Sequence, residues 1–208
     1  MKLNRSLKFG FTAALSITSA FAVTPTIGVA SAFGTFMVNS AEVQGNANIF
    51  EGSQIKTGKA SSQIFLQNGA AVVLGANSAG TIYRDHLLLQ SGATKVDNMQ
   101  GYTVQAAMYR IQADQPISEA VVRVDGDTIE VAALSGSLKV LNENGALLTH
   151  IGAGTASAFQ AGATAGQGGA TTDTDNRKKK KIGLFFLLAS LVGLGLAVDA
   201  ILQPTTSP

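Results

Sequence analysis

Three short runs between Tyr102 and Val140 alternate apolar and polar residues one by one, and this period of two constrains the fold more than any other feature of the chain. Tyr102, Val104 and Ala106 alternate with Thr103 and Gln105; Ile129, Val131 and Ala133 with Thr128 and Glu130; Leu138 and Val140 with Ser137 and Lys139. Successive side chains of a strand point to opposite faces, so runs of this kind make strands with one buried and one wet face. Turn formers stand along the same part of the chain, at Asn68-Gly69, Ser91-Gly92, Asp125-Gly126 and Asn144-Gly145. Glycine in these pairs supplies the positive backbone angle that tight hairpins demand, which predicts strands joined locally by turns. No segment before residue 182 carries a sustained apolar stripe of period 3.6, and a single helical turn over Ile117 to Val122, after Pro116, is the most helix expected there. The expected fold is all-β, a small β-roll or short β-solenoid-like domain over residues 23–160.

The two ends of the chain have a different character. "MKLNRSLKFGFTAALSITSAFA" opens on Lys2, Arg5 and Lys8, continues through an apolar stretch from Phe9 to about Ile17, and ends on Ala20-Phe21-Ala22. A cationic start, a short apolar stretch and a small-residue cleavage pattern make a secretory signal peptide, residues 1–22. A second cleavage pattern, Ala30-Ser31-Ala32, lies farther on beyond Pro25, and Ala22 is the preferred site. At the other end Ile182 to Leu202 is a run of 21 residues whose one charge is Asp199. As a helix it would extend about 30 Å, the thickness of a bilayer's hydrocarbon core, so residues 182–202 are expected to be a transmembrane helix with a short tail at 203–208. Within it Ala189, Gly193 and Ala197 recur every fourth residue, a small-residue face on which two such helices could pack.

These signals disagree on orientation. Arg177 to Lys181 sit directly before the apolar run, and basic clusters favour the cytoplasmic side, whereas an export signal carries everything after it across the membrane. The N-terminal signal acts first, so the expectation is an inner-membrane anchor with the domain on the periplasmic side. Charge divided by segment agrees with an exported domain that has no affinity for nucleic acid. Residues 23–176 hold seven Lys and Arg against twelve Asp and Glu, a net charge near −5, so the excess of +2 belongs to the targeting segments. Binding nucleic acid needs a basic face to replace phosphate counterions. Cysteine is absent, which removes disulfides and thiolate metal sites. Past Phe159, "QAGATAGQGGATTDTDN" contains small and polar residues only, and residues 161–181 are expected to be a flexible tether ending in the basic cluster.

A faint internal echo runs through the middle of the chain. "LQNGA" followed by "AGT" at Leu66 to Thr81 returns as "ENGA" followed by "AGT" at Glu143 to Thr155. An echo of this kind suggests similar β units stacked so that each covers its neighbour's apolar face.

The runs "FEGSQIKTGKASSQIFLQNGAAVVLGANSAGTI", "LLLQSGATKVD", "YTVQAAMYRIQA" and "IEVAALSGSLKVLNENGALLTHIGAGTASAF" resemble the FecR-like periplasmic domain. The family's "G-x-x-I-x-T-G" entry matches Gly52 to Gly58, its strand ending in an Asn/Asp-Gly turn matches Ile64 to Gly69, its "L-x-S-G" strand matches Leu89 to Gly92, and its late "V-x-x-G-x-L-x-V" strand matches Val131 to Val140. The resemblance spans about Glu51 to Phe159, and its motifs are structural. It implies an all-β envelope domain that binds other proteins or surface ligands. Two departures limit it. The family's "G-T" pair after the segment matching Ile111 to Ala113 is replaced by "DQPISEAVVRVDGD". FecR-type regulators also carry a cytoplasmic region ahead of a membrane helix that grips a sigma factor, whereas this chain has a signal peptide in front and "QPTTSP" behind.

Catalytic chemistry finds little material. The two histidines are His86 and His150, and His86 follows Asp85, but adjacent residues of a strand are expected to face opposite ways. "DTDNR" at Asp173 to Arg177 starts like a calcium loop and lacks the glycine and distal glutamate of one. Tryptophan is absent, and Tyr83, Tyr102 and Tyr109 are spread along the chain, so no aromatic platform for carbohydrate is expected. The expected function is therefore a non-catalytic, exported and membrane-tethered β domain that binds a protein or a cell-envelope ligand, without cofactor or metal. The alternative is an accessory of FecR-type transmembrane signalling that acts through a separate membrane partner.

Overall fold

The computed structural model describes residues 24–162, and all their regular structure is β. The strands are β1 (Thr26–Val38), β2 (Ala41–Phe50), β3 (Ser53–Thr57), β4 (Ser62–Leu66), β5 (Ala71–Leu74), β6 (Ala79–Ile82), β7 (His86–Asp97), β8 (Thr103–Ala106), β9 (Tyr109–Ala113), β10 (Glu119–Asp125), β11 (Thr128–Ser135), β12 (Leu138–Leu141), β13 (Leu147–Ile151) and β14 (Ala156–Gln160). The helical turn expected over Ile117 to Val122 does not form. Glu119 onward is β10, whose Ala120, Val121 and Val122 are all buried, a continuous apolar run that suits a strand covered on both faces.

The first half of the chain closes into a six-stranded antiparallel barrel in the order β7-β5-β4-β1-β3-β6 and back to β7. Closure depends on two long strands that each serve two neighbours. The register of β1 against β2 slips between Ala32 and Thr35, so that residues 28–32 pair with β4 and residues 36–38 with β3. In β7 the switch is at Ser91-Gly92. Leu87 to Ser91 pair with β6, and Thr94 to Asp97 pair with β5. Gly92 takes φ +82°, and a Cβ there would lie 2.6 Å from Ser78 Cα, so glycine is required by both conformation and space. The Ser91-Gly92 pair is thus a bend inside one strand and not the hairpin turn its residue types suggest.

The other three turn pairs do join hairpins: β4 to β5, β10 to β11, and β12 to β13. Joining is otherwise less local than expected, since β7 and β8 run parallel. The echo in the sequence corresponds to a repeat in the fold. In the hairpin loops Leu66 N–H donates to Ala70 O and Gly69 N–H to Leu66 O, and the equivalent Asn142 and Gly145 make the same two bonds to Ala146 and Asn142, all at 3.0 Å. Pairing matches as well. The two halves of β1 hold β4 and β3, while β9 holds β12 and β10 holds β11; β4 and β12 each carry a hairpin partner (β5, β13), and β3 and β11 each carry the last strand of their unit (β6, β14). The "AGT" part of the echo is not equivalent, since Thr81 lies in β6 and Thr155 in the turn before β14.

The main apolar core runs through both units. It contains Ile27, Phe36, Ile49, Ile55, Ile64, Leu74 and Leu87 on the barrel side and Val104, Ile111, Val122, Ile129, Val131, Leu138 and Val140 on the other. The alternating residues behave as their period demands, with Ile129, Val131 and Ala133 buried and Thr128 and Glu130 only partly buried.

Candidate functional surface

Directly opposed residues of neighbouring strands share a face, which lets the register be followed outward from β1. Val29 is opposite Phe65 of β4, and the two are 43% and 50% exposed; Phe33, at the slip in β1, is 68% exposed. One residue-pair along, a row passes through Ser31, Gln63, Val73, Lys95, Val121, Ala132 and Ala156, crossing seven strands of both units. Val73, Val121 and Ala132 of this row are apolar and buried, and Gln63 has its Oε1 buried without a hydrogen-bond partner. At the centre of the row Lys95 has its ammonium 2.8 Å from Asp97 and 3.9 Å from Glu119. The result is an outer face with uncovered apolar side chains at one side and a charged trio of Lys95, Asp97 and Glu119 farther along it. Sequence reasoning did not single out these residues. The only trace was a break in alternation, since Ile64, Phe65 and Leu66 follow one another without a polar residue between them.

A second cluster lies at the turn between β6 and β7. Arg84 N–H points at the Glu51 carboxylate (3.2 Å), the Asn68 amide donates to Arg84 O (2.8 Å), and the rings of Tyr83 and His86 stack 4.3 Å apart and 9° from parallel. His86 Nδ1 is 2.7 Å from Asp85 Oδ1. The expectation that these two side chains diverge fails because Asp85 belongs to the turn and His86 opens the strand, so strand alternation does not govern the pair. The bond from His86 holds the Asp85 carboxyl below the usual carboxylate range, against a smaller opposing effect of burial. Below the turn Tyr102 is buried, and its hydroxyl donates to Tyr83 O at 3.4 Å. Burial pushes the Tyr102 phenol far above its ordinary range, helped by the nearby charges of Asp85 and Glu51. Tyr83 and Tyr102, distant in sequence, are thus neighbours. They form no open platform, because Tyr102 is buried and one face of Tyr83 is taken by His86.

The other histidine is in the second unit. His150 Nδ1 and Lys139 Nζ lie 3.3 and 3.5 Å from the two oxygens of Asp114, and Ser137 Oγ donates to Asp114 at 3.4 Å. Each histidine therefore has its own carboxylate. No group of three His, Asp or Glu able to hold a metal occurs among the described residues. Tyr109 packs against Phe159 and donates to Gln160 O at 2.7 Å, tying β9 to β14 across the second unit. Ala189, Gly193 and Ala197, with the expected signal peptide, transmembrane helix and nearly all of the expected tether, lie outside the described residues.

No family model and no curated protein matches the chain. Two crystal structures of a candidate anti-sigma factor from Parabacteroides distasonis ATCC 8503, at 1.65 and 2.50 Å resolution, are similar to it with a TM-score of 0.44 and 14% identity in each case. The matched part covers 53% of this chain and 56% and 55% of those chains, so little more than half of either is compared.

Proposed function

We propose that this chain is an exported, non-catalytic FecR-like β domain, tethered to the inner membrane on the periplasmic side, that binds a protein or cell-envelope ligand through the outer face of β1 and β4. The observation that carries the reading is the exposure of Val29 and Phe65, opposed on β1 and β4, and of Phe33 at the slip of β1. Fully burying an apolar side chain is favourable by about 1.5–3 kcal/mol, so covering these three, 43–68% exposed, recovers about half of that each, and neighbouring exposed apolar groups mark interaction surfaces. The position of β1 favours cleavage after Ala22 over cleavage after Ala32. Three residues separate Ala22 from the strand, whereas cleavage after Ala32 would remove the buried Ile27 and Ala30 and the whole pairing of β1 with β4.

The test is capture of envelope components from membranes by the full chain with a photo-crosslinking residue at Gln67, beside the face, in the parent and in Phe33→Ser/Phe65→Ser. The reading requires a component that the parent retains and the variant loses. Identical capture by both would place the ligand elsewhere. Recovery of a membrane-bound regulator of a sigma factor, lost in the variant, would assign the same face to signalling through a separate partner.

A further inference from the structure

We propose that copies of this chain join end to end, the outer edge of β2 in one copy pairing antiparallel with the outer edge of β13 in the next. The internal repeat leads to this arrangement. In the first unit β7 closes the barrel by lying along β5 and β6, and the same strand, from Gly92 to Val96, covers β10 of the second unit. One strand therefore ends one unit and starts the next. The second unit repeats the β4-β5 hairpin as β12-β13 and β6 as β14, but among the described residues β13 and β14 each pair with one neighbour only. The first unit, in turn, has its own covering strand. β2 lies antiparallel on both halves of β1, as the second half of β7 and β8 lie antiparallel on β10 and β9. No described strand pairs with the far side of β2. A copy placed so that its β2 takes the position of the second half of β7 would continue the stack, and the antiparallel sense follows from that of β5 with β7.

The chemistry of these edges agrees. Exposed strand edges are normally guarded by lysine, proline or inward-pointing charge. β2 reads AEVQGNANIF, β13 reads LLTHI and β14 reads ASAFQ, with Glu42 as the one carboxylate and no lysine or proline. Leu147 and Leu148, at the equivalent of the β5 residues that β7 covers, are exposed. The contact uses a different patch on each copy, so it is a heterologous contact that extends into rows unless the rotation closes a ring. It does not depend on what the outer face of β1 and β4 binds.

The chain has no cysteine, which makes the test direct. Full-length protein in its native membrane is prepared as Gln44→Cys on β2, His150→Cys on β13, and both together, and treated with a short bis-maleimide. The expected result is a ladder of multimers from the double variant, dimers from a mixture of the two single variants, and monomers from either single variant alone. Adding Leu148→Lys to the double variant should abolish the ladder while the circular dichroism of the domain is unchanged. Cross-linking of a single variant with itself would show like edges or membrane segments meeting and would overturn the proposal, as would a double variant that stays monomeric or a ladder that survives Leu148→Lys.

Discussion

Gly92→Ala should destabilise the domain far more than alanine at a glycine of similar backbone angle. Gly92 sits at φ +82° in the middle of β7, and a Cβ there would lie 2.6 Å from Ser78 Cα. A left-handed backbone costs a residue with a Cβ about 1–2 kcal/mol, and overpacking against an immovable neighbour costs a further 1–3 kcal/mol, approximately. Ser78 cannot yield readily. Its hydroxyl accepts from Ala93 N–H at 2.9 Å, and its own N–H donates to Thr57 Oγ1 at 2.8 Å, so it is held between β7 and β3. Gly101 supplies the control, with φ +74° and no atom within 4 Å of an added Cβ, so Gly101→Ala should incur only the backbone cost. A domain of this size loses roughly 3–5 °C in melting temperature per kcal/mol, which puts Gly92→Ala on the order of 10 °C below the parent and Gly101→Ala about half as far or less. Thermal unfolding followed by circular dichroism decides between them. Equal shifts would mean that β7 does not bend against Ser78 and that the barrel is closed some other way.

The Tyr102 phenol is raised by burial, so its contribution to stability is complete below its ordinary value near pH 10 and is lost as pH rises above it, by up to about 1.4 kcal/mol per pH unit; Tyr102→Phe, which gives up one 3.4 Å hydrogen bond, should narrow the stability gap between pH 8 and pH 11 in urea titrations, and an unchanged gap would contradict the burial. Val131→Asp should prevent folding, because an unpaired buried carboxylate costs several kcal/mol, whereas Glu130→Ala should change the melting temperature little. A chain beginning at Val23 should fold, and one beginning at Phe33 should not, since it lacks the β1 segment paired with β4; native-like near-ultraviolet dichroism from the shorter chain would refute that role for residues 28–32.

Much of the architecture was legible where physics is local. Ile129, Val131 and Ala133 alternate with polar residues because one face of β11 meets the core, and Asn68-Gly69 and Asn144-Gly145 form turns because their glycines take positive φ. What escaped depends on distant partners. Ser91-Gly92 has turn chemistry, yet its glycine serves a bend, because β7 must change neighbours from β6 to β5 at that point. The run from Ala120 to Val122 carried no period because Val121 is buried on the face opposite the main core, against Ala132. The outer-face residues Val29, Phe33 and Phe65 were invisible for a related reason, since a hydrophobic residue in a strand is expected inside, and only the register shows which ones the barrel turns outward. The contact between Asp85 and His86 turned on where a strand begins, to within one residue.

Residence of the β domain on the periplasmic side is the central claim of the proposed function. A reporter active only in the periplasm, fused after Gln160 in one chain and after Pro208 in another, measures this. The proposal predicts activity from the first fusion and none from the second. Activity from the second and none from the first would put the domain in the cytoplasm and contradict it.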